Sequence, residues 1–515
     1  MKIRSVCILG GGSAGFSAAA VLARYRQLSE EKLDIKLIHS EKIGSIGVGE
    51  STVRNVNQFL EYIGLEDKDW MKKCNATYKT AIKFTDFNKG SYFYYPFGTV
   101  APHLNNFNAL KAWSIQKEFY PEVCTPENIA TYFVPHAMVA EKNKLTDDGK
   151  GSTSLGGYDL KANTAYHFNA NKLGKTLKEY AENLGVEVVD DTFIEAKLNE
   201  DGSIKSLVCE EGTYEADLFV DCSGFESLLL GQTLNEEFIS FSDTLINNKA
   251  LVAKIPYTDK ENQLKNYTDC VALKNGWCWE IPLWDGLSVG YVHTNKFATE
   301  EEIEKEFFDR YGEVEYRTVE YKTGRHQRGW VKNVVAIGLS YGFIEPLEST
   351  GLASTFINCM GLLEGISKRN SKYTEIDREL FNKTVGNYGI DTWRSMIEMH
   401  YFLSKRDDSD YWNYVTQDID YKNDIDSEYS FERFVVRCGS KVGPSNGYDP
   451  IFIVGGMEYP LYTPGMFVAD EIKDPNNYVP EEVSLKDYQK VVYHLESHVS
   501  SLPSTFEFTK DTIYS

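Results

Sequence analysis

The N-terminus carries a glycine motif that is compatible with only a few folds. Val6-Cys7-Ile8-Leu9 predicts a short buried strand, and it runs directly into Gly10-Gly11-Gly12-Ser13-Ala14-Gly15. Helical spacing of apolar residues follows, and residues 35–38 predict a second strand. This order of strand, turn, helix and strand is the setting in which G-x-G-x-x-G holds the pyrophosphate of a dinucleotide at a helix N-terminus. The acid that usually binds the ribose is missing, because His39 occupies its place.

Other short apolar runs extend this pattern into a sheet. Leu218-Phe219-Val220 leads into a turn that ends at Gly224, and Val334-Val335-Ala336-Ile337 ends at Gly338. Apolar strands separated by helical stretches are typical of a mostly parallel sheet, whose carboxyl ends face a ligand. We therefore predict an α/β fold with a Rossmann-like core and an additional β-sheet, and we place Gly338 at the cofactor edge.

The pattern changes towards the C-terminus. From about residue 378 the chain becomes mainly helical and rich in aromatic residues, among them Trp393, Tyr401 and Trp412. We therefore predict two domains, a core of residues 1–377 and a mainly helical substrate-binding region of residues 378–515.

Composition argues against several classes of partner. Lys and Arg number 54 and Asp and Glu number 76, so the formal net charge is −22. Such an acidic surface repels phosphate backbones and anionic lipids, and no apolar run is long enough to span a membrane. The nine cysteines form no C-x-x-C pair, which favours neither a disulfide framework nor a zinc site. We therefore expect a cytoplasmic enzyme with no metal, nucleic-acid or membrane partner.

A second chemical feature is a pair of carboxylates directly before a predicted helix. Glu345 and Glu348 precede Thr350 and Gly351, after which apolar residues recur at helical spacing. Thr350 fits an N-cap, and the first backbone N–H groups of such a helix attract a small anion together with the helix dipole. The segment therefore combines an acid or base with an anion site, unless both glutamates are ordinary acidic residues before a helix.

Three further motifs give these features a common context. They are Gly47-Val48-Gly49-Glu50-Ser51-Thr52, Tyr166-His167-Phe168-Asn169 before a helix, and Trp277-Cys278-Trp279-Glu280-Ile281-Pro282. Together with Glu345-Pro346-Leu347-Glu348-Ser349-Thr350-Gly351, they resemble the signature segments of the flavin-dependent halogenases of the tryptophan halogenase family. The resemblance covers the chain from the first glycine motif to about Trp412, and W-x-W-x-I-P is rare by chance.

The resemblance implies a flavoprotein monooxygenase-type core that binds FAD as FADH2, which a separate flavin reductase supplies. The residues that it assigns to the cofactor are Gly10, Gly12, Ser13, Ala14, Gly15, Gly47, Val48, Gly49, Glu50, Ser51, Gly338 and Ser349. In the family, the segment with W-x-W-x-I-P lies near the flavin and keeps organic substrate away from it. The residues of this segment are Trp277, Trp279, Ile281 and Pro282.

Two lysines lie on a predicted strand, and the pattern and the resemblance treat them differently. Alternation of apolar residues from Tyr78 to Phe84 puts Lys79 and Lys83 together on the opposite face, where both are predicted to be solvated. The resemblance instead aligns the family's essential lysine with Lys79 and leaves Lys83 on the surface.

The mechanism that the resemblance implies begins when dioxygen and FADH2 form a flavin hydroperoxide, which halide attacks. Thr350 and Gly351 are assigned to the halide, and chloride, bromide and iodide all remain open. The hypohalous acid formed travels to Lys79, which either hydrogen-bonds it or carries it as a haloamine. Glu348 stabilises the cationic ring intermediate and accepts its proton, whereas Glu345 is assigned a structural role.

The substrate is constrained mainly by this chemistry. Electrophilic substitution needs an electron-rich aromatic compound, such as an indole or a phenol. The residues that the sequence offers for a substrate pocket are His103, Phe452 and Glu458, although the late stretch does not match the pattern that binds tryptophan in tryptophan-specific members. Regiochemistry, carrier attachment of the substrate and the oligomeric state, a homo-oligomer included, remain open.

Two rival functions share part of the sequence pattern. A flavin monooxygenase would hydroxylate an aromatic substrate with the same sheet and the same first glycine motif. A non-catalytic FAD-binding protein would also need only those features. Lys79 and the W-x-W-x-I-P segment favour a halogenase over the first rival, and the presence of both Lys79 and Glu348 favours it over the second.

Overall fold

A computed structural model of the chain describes residues 2–29, 32–43, 49–98, 119–134, 137–148, 158–368, 371–404, 406–421 and 485–515. The described strands, numbered in chain order, are β1 (Ser5–Leu9), β2 (Asp34–His39), β3 (Gly49–Ser51), β4 (Thr77–Lys79), β5 (Ala81–Thr85), β6 (Tyr92–Pro96), β7 (Ala165–Asn169), β8 (Glu187–Asp190), β9 (Phe193–Leu198), β10 (Ile204–Cys209), β11 (Thr213–Glu215), β12 (Leu218–Asp221), β13 (Phe238–Ser240), β14 (Lys249–Ile255), β15 (Tyr267–Leu273), β16 (Gly276–Leu283), β17 (Gly286–His293), β18 (Tyr316–Glu320), β19 (Gly324–His326), β20 (Trp330–Val331), β21 (Val334–Ala336) and β22 (Gly342–Phe343).

Helices account for most of the remaining regular structure. The described α-helices are α1 (Ser13–Leu28), α2 (Asn55–Ile63), α3 (Asp67–Trp70), α4 (Pro126–Phe133), α5 (Ala137–Glu141), α6 (Leu160–Asn163), α7 (Ala170–Asn183), α8 (Lys260–Gln263), α9 (Glu300–Tyr311), α10 (Gly351–Ser367), α11 (Glu375–Asn382), α12 (Asp391–Leu403), α13 (Asp410–Asn413), α14 (Lys486–Ser500) and α15 (Thr505–Thr509). No described helix is long and apolar enough to cross a membrane.

The chain forms two compact units whose segments interleave along the sequence. The first unit comprises residues 1–76, 167–248 and 319–394, and the second comprises residues 77–166, 249–318 and 395–515. The sequence placed a single boundary between residues 377 and 378, whereas each unit combines three separate stretches, because strands from distant parts of the chain pair in each sheet. Beyond residue 378, the described elements are helices, and residues 422–484 lie outside the described part of the chain.

The first unit contains the predicted parallel sheet. Its six strands follow the order β20-β21-β12-β1-β2-β8, and every neighbouring pair except β20 with β21 is parallel. Helix α1 returns along this sheet and packs against α7 and α10, and the rings of Phe59 in α2 and Phe356 in α10 stack at 4.3 Å. The α/β fold with a Rossmann-like core is therefore confirmed, and the glycine motif lies at the carboxyl end of β1.

The second unit contains the predicted additional sheet. Its seven strands follow the order β18-β14-β17-β16-β15-β5-β6. Strands β14 to β17 are antiparallel neighbours, whereas β15 pairs with β5 in parallel. Helix α9 covers one face by packing Ile303 and Phe307 against Leu251, Val289 and Tyr291. This sheet carries the W-x-W-x-I-P segment on β16.

A buried histidine at the end of β17 should make the second unit sensitive to acid. His293 is 2% exposed beside the ring of Tyr291, and burial lowers its pKa from 6.5 to about 4. The folded chain therefore keeps His293 neutral while the unfolded chain binds a proton below pH 6.5, so stability falls as pH drops from 6.5 towards 4.

We predict that His293→Phe, which cannot titrate, loses less stability in acid than the parent chain. Between pH 7 and pH 5 the parent should lose about 2 kcal/mol more than the variant. Denaturant unfolding of both proteins at the two pH values measures this difference. An equal loss in parent and variant would show that His293 is not held neutral by burial.

Candidate active site

Two glycines of the N-terminal motif are required by the packing of the protein itself. Gly10 has φ +117°, and a Cβ there would lie 2.2 Å from the carbonyl oxygen of Cys222 at the end of β12. A Cβ on Gly15 would lie 1.9 Å from the carbonyl oxygen of Gly10. Both glycines allow β1, the turn and α1 to pack more closely than any side chain would permit.

Gly12 has a different environment, which fits a ligand. Its φ of −83° and ψ of −173° suit any residue, yet no atom of the described residues lies within 4 Å of the Cβ that it lacks. The backbone N–H of Phe16 donates to the carbonyl of Gly12 at 3.1 Å, so the N–H groups of Ser13, Ala14 and Gly15 precede the first helical bond. Open space at a helix start with such donors fits a pyrophosphate.

His39 occupies the position where a ribose-binding acid was expected. A Cβ on Gly11 would lie 2.5 Å from the His39 Cβ, and the His39 ring meets the ring of Phe16 edge-on at 5.9 Å. Burial lowers the pKa of His39. The histidine therefore packs against the glycine turn and the Phe16 ring.

The turn after β21, which carries the predicted cofactor residue Gly338, lies against the start of α1. Gly338 has φ +74°, and a Cβ there would lie 2.8 Å from the Cβ of Ala14. Thr355 in α10 is the next neighbour, with its Oγ1 at 3.2 Å from the same point. Glycine at this position therefore lets α1 and α10 start close to one turn.

The second predicted flavin loop is described from Gly49 onwards, whereas Gly47 and Val48 lie outside the described residues. Strand β3 pairs antiparallel with β7, so that Glu50 faces Phe168 and Ser51 faces His167. Two motifs that are far apart in the sequence are thus neighbouring strands. Burial raises the pKa of Glu50 to about 7.

Ser349 joins the carboxylate segment to this loop. Its Oγ donates a hydrogen bond to the Oγ of Ser51 at 3.2 Å. The φ of Ser349 is +57°, a left-handed conformation that is strained for a residue other than glycine. Such strain is concentrated at functional sites, because the surrounding contacts must hold it in place.

The two carboxylates of the segment are both buried. Glu345 is 0% exposed and Glu348 is 1% exposed. The side-chain Nδ2 of Asn247 donates to Oε2 of Glu345 at 2.9 Å, which offsets part of the cost of burying this carboxyl group. Sequence reasoning missed Asn247, because no motif marks it and it lies 98 residues from its partner.

The helix after the carboxylates begins where it was predicted, with Thr350 as its N-cap residue but without a side-chain capping bond. Thr350 precedes α10 with helical angles of φ −92° and ψ −8°, and its side chain makes no capping hydrogen bond within the described chain. Thr350 therefore occupies the predicted N-cap position, but a residue with helical angles does not aim its side-chain oxygen back at the first turn. The first helical bond runs from Ser354 N to Thr350 O at 2.9 Å. The N–H groups of Gly351 and the next two residues precede it, and no described atom lies within 4 Å of a Cβ on Gly351.

In the second unit, the structure contradicts the expectation that both lysines are solvated. Lys79 ends β4 and is 0% exposed, while Lys83 lies on the separate strand β5 and is half-buried. The Nζ of Lys79 lies 5.2 Å from the centroid of the Phe97 ring, and that of Lys83 lies 4.0 Å from the centroid of Tyr92. Because the chain changes strand at Thr80, the alternation of one continuous strand does not apply.

The W-x-W-x-I-P segment and the strand of Lys79 are brought together. The Oγ1 of Thr77 in β4 donates to the carbonyl of Pro282 at 2.6 Å. Trp277 and Trp279 are both buried, with ring centroids 6.3 Å apart. A Cβ on Gly290 would lie 2.0 Å from the Trp279 ring, so glycine on β17 makes room for this indole.

Some predicted site residues cannot be placed. His103, Phe452 and Glu458, which were predicted for the substrate pocket, lie outside the described residues. The remaining described residues belong to two groups: the glycine motif, β3 and the carboxylate segment in the first unit, and Lys79 with the tryptophan segment in the second. In the described ranges there is no group of three or more His, Cys, Asp or Glu residues that could hold a metal ion.

Comparison with known proteins gives this geometry a family context. Residues 5–435 match the family model described as tryptophan halogenase. Tryptophan 7-halogenase RebH of Lentzea aerocolonigenes is 32% identical over 433 residues, which cover 80% of this chain and 78% of that protein. Tryptophan 6-halogenase ThaL of Streptomyces albogriseolus is 32% identical over 439 residues, with coverage of 80% and 78%.

Solved structures agree over nearly the whole length. The structure of apo VirX1 matches with a TM-score of 0.88 and 34% identity, and the match covers 100% of both chains. The tryptophan 6-halogenase SttH from Streptomyces toxytricini matches with a TM-score of 0.82 and 28% identity, covering 98% of this chain and 99% of that one.

We predict that a side chain at Gly12 blocks the dinucleotide site without disturbing the fold. Gly12→Ala should weaken FAD binding slightly and Gly12→Val by about tenfold or more, which corresponds to about 1.4 kcal/mol. The reason is that the added methyl groups enter space that no described protein atom occupies. Fluorescence titration with FAD gives the affinity, and the thermal midpoints should stay equal. An unchanged Kd in Gly12→Val would show that the pyrophosphate does not lie there.

Proposed function

This chain belongs to the tryptophan halogenase family, and we propose that it halogenates an electron-rich aromatic compound, using FADH2, dioxygen and a halide. The observation that carries the proposal is the fully buried Lys79 on a strand that is hydrogen-bonded to the end of the W-x-W-x-I-P segment. Burying the amino group of a lysine costs folding free energy, so a purely structural lysine would be expected to keep some exposure, as the half-buried Lys83 does.

The first unit offers residues that fit FAD. The N–H groups at the start of α1 and the space beside Gly12 would hold the pyrophosphate, with Gly338, Ser349 and the β3 strand nearby in the same unit. Bound FADH2 supplies two electrons to dioxygen, so that one halide and one proton yield hypohalous acid, water and FAD. The electrons must come from outside the chain, which requires a flavin reductase as partner.

The start of α10 supports binding of the halide. The backbone N–H groups at Gly351 lie ahead of the first helical hydrogen bond, and the helix dipole is positive there. The absence of described atoms around a Gly351 Cβ leaves room for an anion. Chloride, bromide and iodide would all satisfy these donors.

Lys79 is proposed to position the electrophile. Its ammonium can donate a hydrogen bond to the oxygen of hypohalous acid. The bond between oxygen and halogen then breaks as the aromatic carbon takes the halogen, and the oxygen leaves as water. Alternatively, its amine can exchange with hypohalous acid to give a haloamine and water, and the haloamine then transfers the halogen. In both routes the halogen reaches the ring from one fixed side chain, which gives a basis for regioselectivity.

Glu348 is proposed to serve the later half of the substitution. Addition of the halogen gives a cationic ring, and loss of one proton restores aromaticity. A buried carboxylate stabilises that cation and accepts that proton, and Glu348 is 1% exposed. Glu345, which accepts a hydrogen bond from Asn247, is proposed to hold the segment in shape.

The substrate is proposed at the level of chemical class. RebH and ThaL are tryptophan halogenases, and this chain is 32% identical to each over the aligned 433 and 439 residues. An indole or a phenol satisfies the electronic requirement of the reaction. His103, Phe452 and Glu458 remain proposed pocket residues.

We predict that Lys79→Ala abolishes aromatic halogenation while FADH2 is still oxidised. Product should fall by about a hundredfold or more, because the electrophile is no longer positioned. Mass spectrometry of the products, with parallel measurement of FADH2 oxidation, tests this. The matched control is Lys83→Ala, which removes an ammonium from the neighbouring strand and should retain most activity. Equal product from Lys79→Ala and Lys83→Ala would remove Lys79 from its proposed role.

A second pair of variants separates the two carboxylates. Glu348→Gln should lower turnover by about a hundredfold or more with FAD binding retained, because the amide cannot accept the ring proton. Glu345→Gln should instead lower the thermal midpoint, because it disturbs the hydrogen bond from Asn247. Single-turnover rates and melting curves distinguish the effects. Near-normal turnover in Glu348→Gln would exclude it as the proton acceptor.

A further inference from the structure

Asn266, which directly precedes β15, is fully buried and makes hydrogen bonds through both its backbone and its side chain. Its carbonyl accepts two bonds from Thr80, from the backbone N–H at 2.6 Å and from Oγ1 at 3.0 Å. Its Nδ2 donates to the carbonyls of Val139 at 3.2 Å and Lys144 at 2.8 Å. Its backbone N–H donates to Oδ1 of Asn143 at 3.2 Å. These buried bonds fix Asn266, because each one lost would leave a polar group without a partner.

Thr80, which Asn266 holds by two hydrogen bonds, is connected to Lys79 in two ways. The first is covalent, since Thr80 follows Lys79 directly and separates β4 from β5. The second runs through Phe97, whose backbone N–H donates to the Thr80 carbonyl at 2.7 Å. The ring of the same Phe97 lies 5.2 Å from the Lys79 Nζ. Thr80 therefore restrains both the backbone of Lys79, to which it is bonded covalently, and Phe97, whose ring lies beside the Lys79 Nζ.

The loop on the far side of Asn266 is itself fixed by the C-terminal segment. The backbone N–H of Thr505 donates to the carbonyl of Asn143 at 3.1 Å, and that of Leu145 donates to the carbonyl of Pro503 at 3.2 Å. In α15, the ring of Phe508 lies 5.9 Å from that of Tyr78, the residue before Lys79. The strand of Lys79 is thus held by a continuous set of contacts within the second unit.

We infer that Asn266 is a positioning residue for Lys79, acting through Thr80 and Phe97. The inference rests on the proposed function, in which the Lys79 side chain must meet both the electrophile and the aromatic carbon. Such a reaction depends steeply on geometry, and a displacement of about 1 Å can cost on the order of a hundredfold in rate. Loosening the Asn266 contacts should therefore let hypohalous acid escape instead of reaching the substrate.

The test measures what share of the hypobromous acid brominates an aromatic probe and what share escapes to a trap in solution. The parent and variant proteins receive FAD, a generic flavin reductase with NADH, bromide, and an equimolar mixture of indole and phenol as probes, together with a soluble β-diketone that traps hypobromous acid. Thr80→Val, which removes the hydroxyl bond to Asn266, should lower the ratio of brominated probe to brominated trap about two- to tenfold. Thr80→Ser keeps the hydroxyl and should retain the parent ratio. Asn266→Asp, which loses the Nδ2 donations, should shift the ratio in the same direction as Thr80→Val.

A matched control separates positioning from general stability. Asn333 is also buried, and its amide exchanges two hydrogen bonds with the backbone of Ile204 in the first unit. Asn333→Asp should lower the melting temperature and leave the ratio of the two products unchanged. A Thr80→Val ratio equal to that of the parent, or a fall of the same size in Asn333→Asp, would overturn the inference.

Two further measurements distinguish failure of the proposed role of Lys79 from failure of the inference about Asn266. If Lys79→Ala itself leaves the ratio unchanged, the proposed role of Lys79 fails, and with it the premise of the inference. Crystal structures of Thr80→Val and Thr80→Ser need no substrate. The distance from Lys79 Nζ to the Phe97 ring, 5.2 Å in the parent, should change in the valine variant and stay the same in the serine variant. An unchanged distance in both would overturn the inference even if no probe is brominated.

Discussion

The side chain of Lys79 is fully buried, and burying the amino group of a lysine costs folding free energy that the contacts around it must offset. Hydrogen bonds restrain the short strand on both sides of the lysine, from Thr77 to the carbonyl of Pro282 and from Thr80 to that of Asn266. The centroid of the Phe97 ring lies 5.2 Å from the Lys79 Nζ. These contacts restrain the strand that carries a long, flexible side chain, and the proposed delivery of an electrophile by Lys79 depends on that restraint.

The first unit contains two helix N-termini with the same local arrangement. Helices α1 and α10 both begin beside a glycine whose missing Cβ would meet no described atom, and both offer N–H groups that precede the first helical bond. A dinucleotide pyrophosphate and a halide are both anions, so the same arrangement suits each. The strained Ser349, hydrogen-bonded to Ser51, connects the segment before α10 with β3. Membership of the tryptophan halogenase family agrees with this arrangement.

Much of the first unit could be predicted, because its signals are local. The strand-glycine-helix order at Gly10, the strand that ends near Gly338 and the helix start at Gly351 all follow from short periodic patterns. The buried state of Lys79 could not be predicted in this way, because the chain changes strand at Thr80 and the alternation of one continuous strand does not apply. Hydrogen bonds such as that from Asn247 to Glu345 join residues far apart, and no periodicity marks them.

The most direct measurement is mass spectrometry of an indole and phenol panel after incubation with the chain, FAD, a generic flavin reductase with NADH, and chloride, bromide or iodide in separate reactions. A halogen mass shift that requires both the chain and the halide is expected, because the chain belongs to the tryptophan halogenase family and we propose that it oxidises halide and transfers the halogen to an aromatic ring. A shift of one oxygen atom would show a hydroxylase instead. No shift with any halide or probe would be the result expected of a non-catalytic flavin-binding protein.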